Sequence, residues 1–252
     1  MRIFSCIFAF LLCFSQTVFS SEPKKTVTFG LNSKLSKPYV IDKDHGIEID
    51  IVKEAFRNAG YDVKFQFVTY LRMNDLVKRG RLDGHGVTFY EKNELHYSDD
   101  YIYFQDRAMT KKDRDIKLNT VSDLFKYRVG TWQTGPKNLG GEMLKHYGDD
   151  YELYASKKLN NIATDQSRVT MLVRNRLDVN VEDILIFKYY VAELEAKGIT
   201  FEYDVHELWP SQFLFKAVFK DKAIRDAFNQ GLAQMKNSNR YDDVYKKYGN
   251  IK

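Results

Sequence analysis

Residues 47–68 read IEIDIVKEAFRNAGYDVKFQFV, and their spacing predicts a helix that hands over to a strand. Ile49, Val52, Ala55, Phe56 and Ala59 recur at three- and four-residue intervals, which places them on one helical face, and Gly60 stops the helix. Val63, Phe65 and Phe67 then alternate as the inward face of a strand, as Val27, Phe29 and Leu31 do upstream. Strand, helix and strand in that order imply a parallel pair with a right-handed crossover. A second helix around Leu71 to Arg79 ends at Gly80 and leads into a strand from Leu82 to Thr88. The first part of the chain is therefore an α/β sheet.

Downstream, the extended aromatic segment Tyr101 to Met109 and the charged run Lys111 to Lys117 read as the chain leaving that sheet. A second α/β series follows. Ser122 is placed to cap a short helix, Arg128 to Thr131 form a strand, and Pro136 after Gly135 sits where a helix can start. Val169, Leu172 and Val173 share a helical face before a strand at Val179 to Val181. Ile184, Phe187, Val191 and Leu194 make another stripe, ended near Gly198, and Leu214 to Phe219 read as a strand returning to the first sheet. Two stripes close the chain: Ile224, Ala227, Phe228 and Met235, then Tyr241, Val244, Tyr245 and Tyr248. No flexible linker separates the halves, so ordered strands are expected to join them, with a ligand cleft at the hinge.

The first twenty residues carry Arg2, an apolar run from Ile3 to Phe14, and the small residues Val18 and Ser20 before Ser21, the three parts of a secretory signal peptide. The run is too short to cross a bilayer, for which roughly 18 apolar residues are needed. Cys6 and Cys13 leave with the leader, so the mature chain is expected to be exported with no disulfide and no membrane anchor. The formal charge of +5 includes Arg2. Lysine pairs at 24–25, 111–112, 157–158 and 246–247 are scattered, which argues against a nucleic-acid surface. The five histidines are dispersed without His-Glu-x-x-His spacing, so no metal is expected, and no phosphate loop, dinucleotide turn or nucleophile elbow implies a cofactor or a catalytic centre.

Several short motifs then converge: Lys37-Pro38-Tyr39, Gly46-Ile47-Glu48-Ile49-Asp50-Ile51-Val52, Gly80-Arg81-Leu82-Asp83-Gly84, Tyr97-Ser98-Asp99-Asp100-Tyr101, Arg176-Leu177-Asp178, and Asn239-Arg240-Tyr241 through Lys247-Tyr248-Gly249. In this order and at these spacings the chain resembles the family 3 extracellular solute-binding proteins, which deliver amino acids and similar solutes to ABC importers. The resemblance implies a periplasmic-binding-protein type II-like α/β fold, two lobes joined by two crossing strands. Lobe 1 would comprise residues 21–108 and 209–252, and lobe 2 residues 109–208, with crossings near Tyr103 to Lys111 and Asp204 to Ser211. It further implies a periplasmic monomer that binds a small polar ligand, partners an ABC permease and catalyses nothing. The alternatives are an enzyme on the same fold, like the cyclohexadienyl dehydratases that resemble this family, and a soluble ligand-sensing partner of a membrane receptor.

Family members stack the ligand on aromatics, clamp its carboxylate with a first-lobe arginine and pair its amine with a second-lobe acid, because a desolvated zwitterion needs both charges met. By this resemblance Tyr39 and Tyr70 are the candidate aromatics. The stretch that should carry the arginine, Thr88 to Glu94, has none. Either Lys92 holds the anionic group as a point charge, or Arg72 does, or the ligand is not a standard amino acid. Tyr70-Leu71-Arg72 matches a branch of the family with an aromatic, one residue, then arginine, which favours Arg72. His85 and Thr88 lie where family members approach the ligand. Trp132 and Thr134 occupy the polar turn at a helix start, and Asp183 is the candidate amine partner, with Glu182 the alternative if the strand register shifts by one.

Overall fold

The computed structural model describes residues 25–33, 36–88, 91–148, 159–161 and 164–249; the expected leader lies outside them. Strands β1 (Thr26–Asn32), β2 (Asp62–Val68), β3 (Gly84–Thr88) and β4 (His96–Phe104) belong to a first sheet. The chain then changes sheets at Gln105. Strands β5 (Asp106–Lys111), β6 (Val129–Thr131), β7 (Leu159–Asn161), β8 (Val179–Asp183) and β9 (Tyr203–His206) form the second, and β10 (Phe213–Phe219) returns to the first. The orders are β2-β1-β3-β10-β4 and β7-β6-β8-β5-β9. The architecture is two α/β lobes. The change of sheet falls a few residues before the expected break after Ala108, because Asp106 to Ala108 already pair with Asp183 to Val181.

The strand–helix–strand start forms as its spacing predicts: β1 pairs parallel to β2, Val27 beside Val63 and Phe29 beside Phe65, around the helix Ile47–Asn58. Gly60 ends that helix with φ 81°, a left-handed conformation that costs glycine little. Phe29, Phe56, Phe219 and Phe228 meet in a ring cluster with centroids 5.2 to 6.3 Å apart. Such edge and tilted pairs each contribute about 0.5–1.5 kcal/mol beyond the area they bury. Gly231 lets the helix Lys222–Asn237 reach helix Ile47–Asn58 backbone to backbone, since a Cβ there would lie 1.9 Å from the Ala55 carbonyl oxygen.

Two of the motifs do the same work in both lobes. Asp83 of Arg81-Leu82-Asp83 accepts the Thr28 N–H at the start of β1 (2.7 Å), and Asp178 of Arg176-Leu177-Asp178 accepts the Arg128 N–H just before β6 (3.0 Å). Each carboxylate pins the first residues of a neighbouring parallel strand. Asp50 takes Lys247 Nζ at 2.7 Å and the Tyr248 hydroxyl at 2.8 Å, which ties the closing helix Arg240–Gly249 to the first. One expectation changes: the short 3-10 helix Val121–Lys126 is capped by Thr120, not Ser122, in a capping box with Asp123.

The second lobe packs Val129, Val179, Val181, Leu124 and Met143 on one side of its sheet. On the other side Met109, Val169, Leu172 and Phe187 join an apolar cluster that continues through Tyr39 and Phe104 into the first lobe. The lobes are thus joined by packed side chains as well as by backbone.

Candidate functional site

In α/β sheets, ligands collect outside the carboxyl ends of the parallel strands. In the first lobe those ends are Asn32, Val68 leading to Tyr70, and Thr88; in the second they are Thr131 leading to Thr134, and Asp183. Between the lobes, the Tyr39 hydroxyl lies 3.1 Å from Oδ2 of Asp183, the last residue of β8. Lys37 adds to the junction, 3.7 Å from the Glu193 carboxylate and with its Nζ 5.4 Å from the Tyr189 ring centre.

The hinge segments are held by specific bonds. Asp183 accepts the N–H groups of Leu185 (2.9 Å) and Ile186 (3.0 Å) as cap of the helix Ile184–Glu195, and the N–H of Gln105 (2.6 Å) where the chain changes sheets. Tyr39 stacks on Phe104 with centroids 4.1 Å apart, and Tyr103 on Tyr245 at the same distance. Arg107 donates to the carbonyls of Pro210 (3.3 Å) and Ser211 (3.4 Å), linking the outgoing crossing to the returning one. Asp106 faces Asp183 across the β5–β8 ladder. Burial and the Asp183 charge push Asp106 up to about 8 against the pull of Arg107, so Asp106 holds a proton at neutral pH.

The structure sorts the expected ligand residues into two groups. Tyr70 is 48 % exposed at the start of helix Tyr70–Lys78, Arg72 and Lys92 are exposed with no ion-pair partner among the described residues, and Thr134 is exposed at the start of helix Gly135–Leu139, its hydroxyl bonded to Asn138. Trp132 is half-buried against the second lobe's core. Tyr70 and Arg72 follow the end of β2, Trp132 and Thr134 follow the end of β6, and Lys92 lies in the connection between β3 and β4.

The second group faces inward. Tyr39 is 2 % exposed and its hydroxyl reaches the Tyr103 carbonyl as well as Asp183, so it lines the hinge rather than offering a free ring face. His85 is buried, with Nδ1 on the Gly86 carbonyl (3.0 Å) and Nε2 on the Asn74 side chain (2.9 Å); burial pulls it down to about 4, which keeps the ring neutral. Thr88 is buried at the end of β3. Asp183 already receives four donors, so an amine could enter only by displacing one. Glu182, the alternative acid, is paired with the buried Arg168, which also holds Asp165 at 2.5 Å.

Glu48, Tyr101, Arg107 and Arg168 did not stand out in the sequence as polar residues of the interior. Glu48 is 4 % exposed, and burial pushes it up to about 7 although the Tyr101 hydroxyl donates to it at 2.6 Å. Its ordinary value is 4.5, so the neutral acid is the form the fold prefers. The stability this confers is complete below about pH 4.5 and is lost as pH rises through about 7; the span corresponds to about 3 kcal/mol. Glu48→Gln is expected to flatten the stability profile over that window. Urea melts from pH 4.5 to 8 measure it, and an unchanged slope would refute the assignment.

Two α/β lobes joined by two crossing segments, with polar and aromatic side chains at their strand ends, are the architecture of a two-lobed binding protein. Over residues 31–251 the chain matches the model of the bacterial extracellular solute-binding proteins, family 3, and it belongs to that family. The arginine-binding extracellular protein ArtP of Bacillus subtilis (strain 168) is 25% identical over 259 residues, covering 97% of this chain and 94% of ArtP. Among solved structures, the arginine-, lysine-, histidine-binding protein ArtJ of the thermophile Geobacillus stearothermophilus superposes with a TM-score of 0.65 at 18% identity, over 89% of this chain and 95% of that one. A histidine kinase sensor domain with similarity to periplasmic binding proteins gives 0.66 at 17%, over 89% and 96%.

Proposed function

We propose that this protein is exported to the periplasm, where it captures a small amino-acid-like ligand between its lobes and presents it to an ABC importer. The observation that carries the reading is the family match along residues 31–251 of a chain folded as two hinged lobes. The names of ArtP and ArtJ put cationic amino acids first among candidate ligands. Arg72 and Lys92 are the cations available for a ligand carboxylate; the guanidinium fork of Arg72 matches a carboxylate bidentately, which favours it. Tyr70 beside it supplies the aromatic face, and Thr134 at a helix start a polar contact from the second lobe.

A thermal-shift panel of amino acids and related solutes tests this. A ligand at a hundredfold excess over its Kd stabilises the native state by about 2.7 kcal/mol. For a chain of this size that raises Tm by roughly 5–10 °C. Arg72→Ala is expected to abolish the shift while leaving the ligand-free Tm within about 1 °C, as for an exposed side chain. No shift with any compound would sink the reading.

A further inference from the structure

Strand β3 does not pair regularly with β10. Thr88 lies opposite Lys216 and His85 opposite Val218, so Gly86 and Val87 together face Ala217 alone, which makes a β-bulge. Strand β4 slips at the same place, with Asp100 opposite Lys216 and Tyr97 opposite Val218. Val87 has φ 50°, a left-handed conformation that a β-branched residue adopts only when its surroundings impose it. Backbone donors displaced by the bulge must find other acceptors, and two side chains of the Tyr97 to Tyr101 motif provide them. Ser98 Oγ takes the Ala217 N–H at 2.8 Å, and the Tyr101 hydroxyl takes the Val87 N–H at 2.9 Å.

Tyr101 is in turn held by Glu48, reached across the interior from helix Ile47–Asn58. Gly86 closes the arrangement: a Cβ there would lie 2.1 Å from both Glu48 Oε1 and the Tyr101 hydroxyl, so no larger residue fits beneath the bulge. The chain Glu48, Tyr101, Val87 thus runs from a buried carboxyl to the last turn of backbone before Thr88. Bulges next to binding sites redirect the residue that follows them.

We propose that Glu48 and Tyr101 are positioning residues for ligand binding, holding the Gly86–Val87 bulge and thereby the direction of Thr88 at the end of β3. The claim rests on the reading of the strand ends as a ligand site. A carboxyl this buried, with the Tyr101 hydroxyl already donating to it, fits a role as a fixed acceptor rather than a ligand's counter-ion.

Two measurements separate the proposal from that reading. Hydrogen exchange on the ligand-free protein follows the Val87 amide: Tyr101→Phe, which keeps the ring, should speed it at least tenfold, and Glu48→Ala several-fold, whereas Glu48→Gln, which still offers an acceptor, should leave it near wild type. Calorimetric titration with L-arginine should show Tyr101→Phe and Glu48→Ala weakened at least tenfold and Glu48→Gln restored to within about threefold of wild type. Exchange unchanged in Tyr101→Phe overturns the proposal, as does faster exchange with undiminished affinity, or a Gln variant as weak as Ala. Where the wild type ignores L-arginine, the titration uses whichever compound raises Tm in the thermal-shift panel; if none does, the functional reading fails, and the exchange arm alone decides whether Tyr101 holds the bulge.

Discussion

Arg168→Met is expected to destabilise the protein by about 3–5 kcal/mol, the cost of leaving a buried charge without its partner. For a chain of this length that is a fall in Tm of about 10 °C. Arg168 is only 2 % exposed, and its guanidinium lies between Glu182 and Asp165. Glu182 is equally buried in the middle of the second lobe's sheet, with, among the described residues, one further side-chain bond, from Asn180 at 3.4 Å. Burial, with the Asp165 charge behind it, raises the Glu182 pKa, and Arg168 is the main group opposing that rise. Without the arginine Glu182 has to take up a proton, so the loss should be smaller at pH 5 than at pH 8. Arg168→Met combined with Glu182→Leu should recover most of the deficit, because an apolar pair of similar volume replaces a buried ion pair at little net cost. A double-mutant cycle by urea denaturation measures this; a single-variant cost under about 1 kcal/mol would show that the pair is solvated after all.

Such a residue is hard to read in advance, and the reasons are physical. The apolar spacings from Val27 to Phe67 and from Ile184 to Leu194 announce their elements because periodicity is local and every turn repeats it. Arg168 is one arginine beside Val169, and nothing local says that Glu182, fourteen residues on, waits beneath it. The prior for a lone arginine is exposure. Arg72 and Lys92 are exposed, as that prior expects. Tyr39 shows the opposite difficulty: an aromatic after a proline suits a cleft and a core equally, and here the ring is buried and stacked on Phe104. Two local signals in the sequence do report interior features. Glycines at 84 and 86 inside a strand mark a bulge or a close approach, and the structure has both. An aspartate immediately before the apolar run from Ile184 is a helix cap before it is anything else.

Asp183→Ala is accordingly expected to cost about 3–4 kcal/mol, far beyond an ordinary cap. Loss of a cap accounts for about 1–2 kcal/mol. The remainder comes from the Gln105 N–H and the Tyr39 hydroxyl, which lose an acceptor in a site that is 2 % exposed, at about 1 kcal/mol or more for each buried donor. Tyr39 retains the Tyr103 carbonyl at 3.1 Å, so Gln105 bears the larger share. Asp183→Asn should fall between Ala and wild type: one amide oxygen can still cap Leu185 and Ile186, while the amide nitrogen meets Gln105 donor to donor. Tyr39→Phe, which removes the hydroxyl's bonds to Asp183 and to the Tyr103 carbonyl, should cost about 1 kcal/mol. The last variant also decides whether Asp183 receives a ligand amine, as the family resemblance implies. It frees one lone pair on Oδ2, so a ligand ammonium that uses this carboxylate binds several-fold more tightly to Tyr39→Phe than to wild type. Unchanged affinity assigns Asp183 to the hinge alone. Either way the carboxylate joins the helix start of one lobe, the residue where the chain changes sheets and a tyrosine of the other, so its removal loosens the hinge before it touches any ligand.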